Sequence, residues 1–152
     1  PEYTVMIVGS HHQPEFAKIY PPVERVFHAS LPEQEKFLSF DRLWEIYEDE
    51  SPMPSNENFY EYAESKDDAT IAMQKIAWDA YVAVGGTGYT RVDVRVDQHT
   101  GVPYVLEVNA QCGISEDENF TSIGAILRFA NQSFTELIIH IINDAFARRR
   151  KI

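Results

Sequence analysis

The sequence is short of cysteine, of positive charge and of long apolar runs. A single cysteine, Cys112, excludes an internal disulfide framework and suits a reducing compartment. Lys and Arg number 13 against 24 Asp and Glu, for a formal charge of −11. That balance argues against nucleic acid or an anionic membrane as partner, because phosphate binding asks for the opposite sign. The one basic cluster, "ARRRKI" (147–152), reads as a helix C-terminus complementing its dipole. No stretch approaches the length of a membrane span and no signal peptide is visible, so a cytoplasmic setting is expected. The chain opens on Pro1 rather than Met, and its third residue already sits in a strand pattern. It is therefore expected to begin inside a longer protein. Two glycosylation triplets, at Asn119 and Asn131, are discounted without a secretory signal.

What is present suits one globular domain over residues 1–152, with ordinary apolar and charged fractions. "YTVMIVG" (3–9) predicts a buried strand and "VERVF" (23–27) a partly exposed one, around a loop broken by prolines. From His28 to Glu64 the periodicity weakens among prolines, acids and aromatics. This stretch reads either as a binding loop or as a loop with a short helix pinned by its aromatics. Ser65 is expected to N-cap a helix that presents Met73, Ala77, Ala80, Tyr81 and Val84 on one face and stops at Gly85-Gly86. Strands over 89–97 and 103–109 follow, then helices over roughly 122–130 and 133–149. In the last helix Phe134, Leu137, Ile138, Ile141, Ile142 and Ala145 share a face expected to pack on the sheet. The order β-β-loop-α-β-β-α-α predicts an α+β fold, an antiparallel sheet packed against helices.

The hairpin "RVDVRVDQHTGVPYVLEVNA" (91–110) carries the chemistry. Alternation puts Arg91, Asp93, Arg95 and Asp97 on one face of its first strand. On the return strand it puts Glu107 and Asn109 together, with Tyr104, Leu106 and Val108 opposite. A hairpin pairing Asp97 with Pro103 sets Asp93 against Glu107 and Arg91 against Asn109, with Cβ atoms roughly 5 Å apart. Opposed carboxylates need a compensating cation. Arg91 or Arg95 supplies it if this is a salt-bridged solvent face. A metal supplies it if Asp93, Glu107 and Asn109 are hard oxygen ligands for Mg²⁺, with Arg91 gripping phosphates beside them. A looser carboxylate site for Mg²⁺ or Ca²⁺ without nucleotide is the third reading.

"GYTRVDVRVDQHTGVPYVLEVNAQCGIS" (88–115) closely resembles the end of the ATP-grasp module of D-alanine–D-alanine ligases and related carboxylate–amine ligases. The shared pattern is an R-x-D strand, a short turn, and an L-E-x-N strand leading to a glycine loop. "EYTVMIVG" (2–9) resembles the family's E-[FY]-T-V strand, and the helix over 65–84 sits where the family has one. The resemblance covers nearly the whole chain and implies a C-terminal ATP-grasp subdomain that works with ATP and Mg²⁺ (or Mn²⁺). It implies Asp93, Glu107 and Asn109 as metal ligands, Arg91 on the transferring phosphoryl group, Glu2 on the ribose, and the Gly113 N–H on the developing oxyanion. The reaction it implies joins a small carboxylate and an amine through an acyl phosphate.

The chain departs from the pattern in three places. It starts after the family's adenine hinge, so the N-terminal half of the grasp is absent; the fragment alone is expected to be inactive and to self-associate through the face so left. "FLSFDRLW" (37–44) resembles the family's lid loop, but Leu43 stands where a lysine is usual, with Arg42 beside it as the substitute nucleotide contact. The substrate loop reads "NAQCGISEDENFTS", with Cys112 in place of proline and an acidic insertion, which leaves the substrate open. The rival expectation is a degenerate, non-catalytic ATP-grasp derivative that acts as a binding or interaction protein.

Cys112 is read as a small loop residue, since nothing identifies a histidine to activate it as a nucleophile. His11-His12 lacks a third spaced metal ligand and is read as incidental. His28, His99 and His140 are isolated, and Trp44 is read as packing.

Overall fold

The structure, a computed structural model, describes residues 1–38, 57–119 and 121–149. Its centre is a six-stranded sheet, antiparallel at every pairing. The strands are β1 (Glu2–Val8), β2 (Lys18–Ile19), β3 (Val23–Phe27), β4 (Tyr60–Glu64), β5 (Tyr89–Val96) and β6 (Pro103–Ala110). They lie in the order β4-β3-β1-β5-β6, and short β2 pairs with the end of β1. The helices are α1 (Asp67–Ala83), α2 (Ser122–Phe129) and α3 (Phe134–Arg149). This is the expected α+β architecture of antiparallel sheet against helices.

β1 is buried along its whole length and flanked on both sides, which explains its near-continuous apolar run. Its alternation divides two cores. Tyr3, Val5 and Ile7 face α1, where they pack with Met73, Ala77, Tyr81, Val92 and Val94. Met6 and Val8 face the other way, beneath α2 and α3, with Tyr20, Val23, Cys112, Ile123, Ile126 and Leu137. α2 is held at its start by Thr121, whose hydroxyl accepts from the Gly124 N–H. α2 and α3 cover only the Met6–Val8 end of that second face. The Glu2–Thr4 end carries polar rows instead.

Several expectations need correcting. β4 falls where no strand was expected, and residues 39–56, with Arg42, Leu43 and Trp44, lie outside the described residues. Lys66, not Ser65, is the N-cap of α1; the Ser65 hydroxyl meets that of Thr70 at 2.5 Å instead. Val84 is exposed as the C-cap beyond the last turn of α1, and Gly85 after it has a φ of +67° that an L-residue adopts at a cost. In α3 only Leu137 is fully buried, while Ile142 and Ala145 face outward.

Candidate functional site

Antiparallel partners share a face, so the register lays the site out in rows across the strands. One row runs Tyr62, Arg25, Glu2, Arg95, Tyr104 from β4 to β6. The next sets Thr4, Asp93 and Glu107 side by side, and the third sets Met6, Arg91 and Asn109. The pairs expected from alternation, Asp93 with Glu107 and Arg91 with Asn109, are therefore present. The tip of the hairpin is not paired as expected: Val96, not Asp97, faces Pro103. A bulge between Asp93 and Val94 absorbs the difference at Leu106. As a result Val105 packs with Val108 in the α1 core, while Tyr104 and Leu106 are exposed on the open face. Alternation alone assigned those two to the opposite side.

Asp93 is the fixed point. It is buried, and its Oδ1 accepts from the Thr4 hydroxyl at 2.9 Å. Its Oδ2 accepts from Arg91 Nη2 at 2.9 Å, Arg91 Nε at 3.2 Å and Asn109 Nδ2 at 3.3 Å. The same Arg91 Nη2 lies 3.6 Å from Glu107 Oε1, so one guanidinium spans both carboxylates. Glu107 itself is half exposed.

The second focus is Glu2, also buried. It pairs with the buried Arg25 through one oxygen and with Arg95 Nη1 at 3.4 Å through the other. Arg95 Nη2 donates to the Lys36 carbonyl at 2.8 Å, tying the segment after β3 to the sheet. Burial on its own weakens the Arg25 charge. Tyr62, Glu2 and Asp93 around it more than offset that and raise its pKa. The Tyr60 and Tyr62 rings stand 5.2 and 5.7 Å from its guanidinium carbon. Its Nε is buried with no hydrogen-bond partner among the described residues.

A cleft of about 350 Å³ opens between the two foci, lined by Glu2, Arg25, Phe37, Asp93, Leu106 and Glu107 among others. A wider one of about 680 Å³ adjoins it over Arg95, Lys36, Phe27 and Tyr104. Three guanidinium groups (Arg25, Arg91, Arg95) face three carboxylates (Glu2, Asp93, Glu107), so the floor is close to neutral. Gly113 is exposed just beyond β6, and a Cβ there would meet nothing within 4 Å. Among the described residues no group of three His, Cys, Asp or Glu is placed to hold a metal. Arg25, Thr4 and Leu106 belong to the site but were not singled out from the sequence. The signal for Thr4 was available, since it sits two residues from Glu2 in a strand.

Burial pushes the Cys112 thiol up, which disfavours a thiolate nucleophile. The His11 and His12 rings lie 3.6 Å apart and tilted by 41°, with His11 Nδ1 at 2.8 Å from the Gly86 carbonyl, a local arrangement away from the cleft.

The sheet carries α1 on one face and, at the uncovered end of the other, an R-x-D strand paired to an E-x-N strand, the arrangement expected of the C-terminal subdomain class of ATP-grasp proteins. Within that class, the family model described as "D-ala D-ala ligase C-terminus" matches residues 33–143, and the chain belongs to that family. A D-alanine–D-alanine ligase of Methylorubrum extorquens is 38% identical over 80 residues, 51% of this chain and 25% of that protein. That of Herminiimonas arsenicoxydans is 28% identical over 145 residues, 95% of this chain and 37% of that protein. The D-alanine–D-alanine ligase of Bacillus anthracis, solved with ATP, superposes with a TM-score of 0.64 at 19% identity. That match covers 99% of this chain and 39% of the other. VanG D-Ala:D-Ser ligase of Enterococcus faecalis superposes at 0.61 with 15% identity, over 94% of this chain and 35% of the other. These likenesses establish the fold, and the chain spans well under half the length of the proteins it matches.

Proposed function

We propose that this chain is the C-terminal part of an ATP-dependent carboxylate–amine ligase and that its open sheet face holds Mg²⁺ and the phosphates of ATP. The observation that carries this reading is the convergence of Asp93, Glu107, Asn109 and Arg91 from two strands onto one uncovered patch. The donor set fits the ion: two carboxylates and an amide suit a hard cation that completes its shell with phosphate oxygens and water. The Arg91 guanidinium already occupies the space between the carboxylates, a cation placed there by the chain itself. When bound, Mg²⁺ supplies charge neutralisation and orientation for phosphoryl transfer.

The protein groups divide the remaining work. Asp93, immobilised by Thr4, sets the position of the metal. Glu107, half exposed, would add a second carboxylate to hold the ion. Arg91 presents a planar fork to phosphate oxygens. Glu2, clamped by Arg25 and Arg95 where it lines the cleft, is assigned to the ribose hydroxyls. Gly113 brings backbone close to the reacting carbonyl without a side chain in the way. Arg42 is assigned to the nucleotide through its neighbourhood to Leu43. Catalysis in such a site is positioning and charge stabilisation. A cytoplasmic setting suits an ATP-dependent enzyme with a free thiol.

Calorimetric titration of Mg-ATP into this chain and into Asp93→Asn tests the proposal. Binding that disappears in the variant is expected. Binding unaffected by the substitution, or no binding at all, removes the reading for this chain and favours a non-catalytic relative. Self-association of the isolated chain through the open face belongs to the same proposal, and light scattering tests it.

A further inference from the structure

Asp93 Oδ2 accepts three N–H donors, two of them from Arg91. An oxygen so engaged has no lone pair left to offer a metal. Glu107 is drawn toward the same guanidinium at 3.6 Å. Asp93 cannot retreat, because it is buried and held from behind by Thr4. The parts with freedom are Arg91, partly exposed, and Glu107, half exposed.

We propose that Arg91 is an internal counter-ion that fills the divalent-cation position of the bare chain, and that Asp93 and Glu107 take up an ion only as the guanidinium leaves them. This rests on the reading of those two carboxylates as metal ligands. A guanidinium and a divalent ion cannot share the 3–4 Å shell of one carboxylate pair without strong repulsion. Two closely opposed carboxylates are equally unstable with neither cation present. The site therefore exchanges one cation for another, and the released guanidinium becomes available to phosphate oxygens arriving with the ion. Free Mg²⁺ binds weakly under this scheme, since it must displace Arg91 with nothing to receive it. Mg-nucleotide binds well, since its phosphates accept the displaced charge. The arginine thus makes the site selective for metal that comes with a polyphosphate.

Mn²⁺ alone, followed by the electron paramagnetic resonance signal of the free ion, tests this on the full chain. Arg91→Met is expected to bind Mn²⁺ about tenfold tighter than the native chain, or more. Arg91→Lys, still cationic, is expected to stay within a few-fold of native. Arg91→Gln gives the sign again if the Met variant does not fold. Binding no tighter than native in the neutral variants, including none up to the millimolar range, overturns the proposal. Adding Asp93→Asn to Arg91→Met separates the two levels. A gain that survives it places the ion elsewhere and refutes the ligand assignment. An absent gain alongside Asp93-dependent Mg-ATP binding refutes the exchange alone.

Discussion

Substituting either member of the Glu2–Arg25 pair should cost stability unequally. Both side chains are almost fully buried, at 4% and 3% exposure. Glu2→Gln leaves Arg25 charged, since a guanidinium keeps its proton in a protein, with an Nε that lacks a partner among the described residues. Among the described residues it keeps a side-chain hydrogen bond with Tyr62, two tyrosine rings and the field of Asp93. Breaking a buried pair in this way costs about 3–5 kcal/mol. Arg25→Met leaves Glu2 with Arg95 at 3.4 Å, a cation 40% exposed and free to move in. That remaining partner brings the loss down to about 1–3 kcal/mol. With a urea slope of about 2 kcal/mol/M, a loss of about 4 kcal/mol moves the unfolding midpoint down by about 2 M. The pair Glu2→Gln with Arg25→Met removes both charges and should lie closer to native than Glu2→Gln does. Urea unfolding followed by circular dichroism reads all three. Additive single effects, or a Glu2→Gln loss below about 1 kcal/mol, would refute the view that the two charges depend on each other.

Gly124→Ala should be destabilising by about 1–3 kcal/mol, because a Cβ there lies 2.0 Å from the Asp117 carbonyl oxygen, and thermal unfolding checks it. Ile126→Ala, at a fully buried position of α2, should cost about 2–5 kcal/mol in the same assay. Cys112 should resist alkylation at neutral pH in the native chain and react at once in denaturant, because burial both shields and raises its thiol. Glu136 accepts from the Ser133 N–H at 2.7 Å and the Ser133 hydroxyl at 2.9 Å, bonds that lower its pKa in the folded chain. Its contribution is thus present above the unfolded pKa near 4.5 and lost as pH falls through the lower folded value. The penalty of Glu136→Gln should accordingly be visible at neutral pH and fade in acid.

The hairpin was legible because a strand has period 2 and the charges sit on it. Once Asp93 and Glu107 are placed on one face, the turn between them leaves few registers. The rest of the site depends on which strands are neighbours. Glu2 meets Arg25 and Arg95 only because β1 lies between β3 and β5, and that order reflects long-range packing that no local pattern encodes. β4 was missed although "YEYAE" alternates, because its aromatics read as part of a long aromatic loop. The bulge was invisible for a different reason: it is a break in periodicity, and reading by periodicity assumes there is none. Helix boundaries were nearly right, and Ser65 lost the cap position to Lys66 by one residue.

That bulge has a consequence for how the chain can diversify. A regular strand gives the cleft every second side chain; over Tyr104–Glu107 this one gives it three of four, and still sends Val105 to the opposite core. Leu106 is a supernumerary wall position, with no partner residue across the ladder. Its size and polarity can change without disturbing Asp93, Glu107 or the packing beneath α1. The cleft can therefore be reshaped at one codon while the charged floor stays fixed, which separates what is held from how the reaction centre is built.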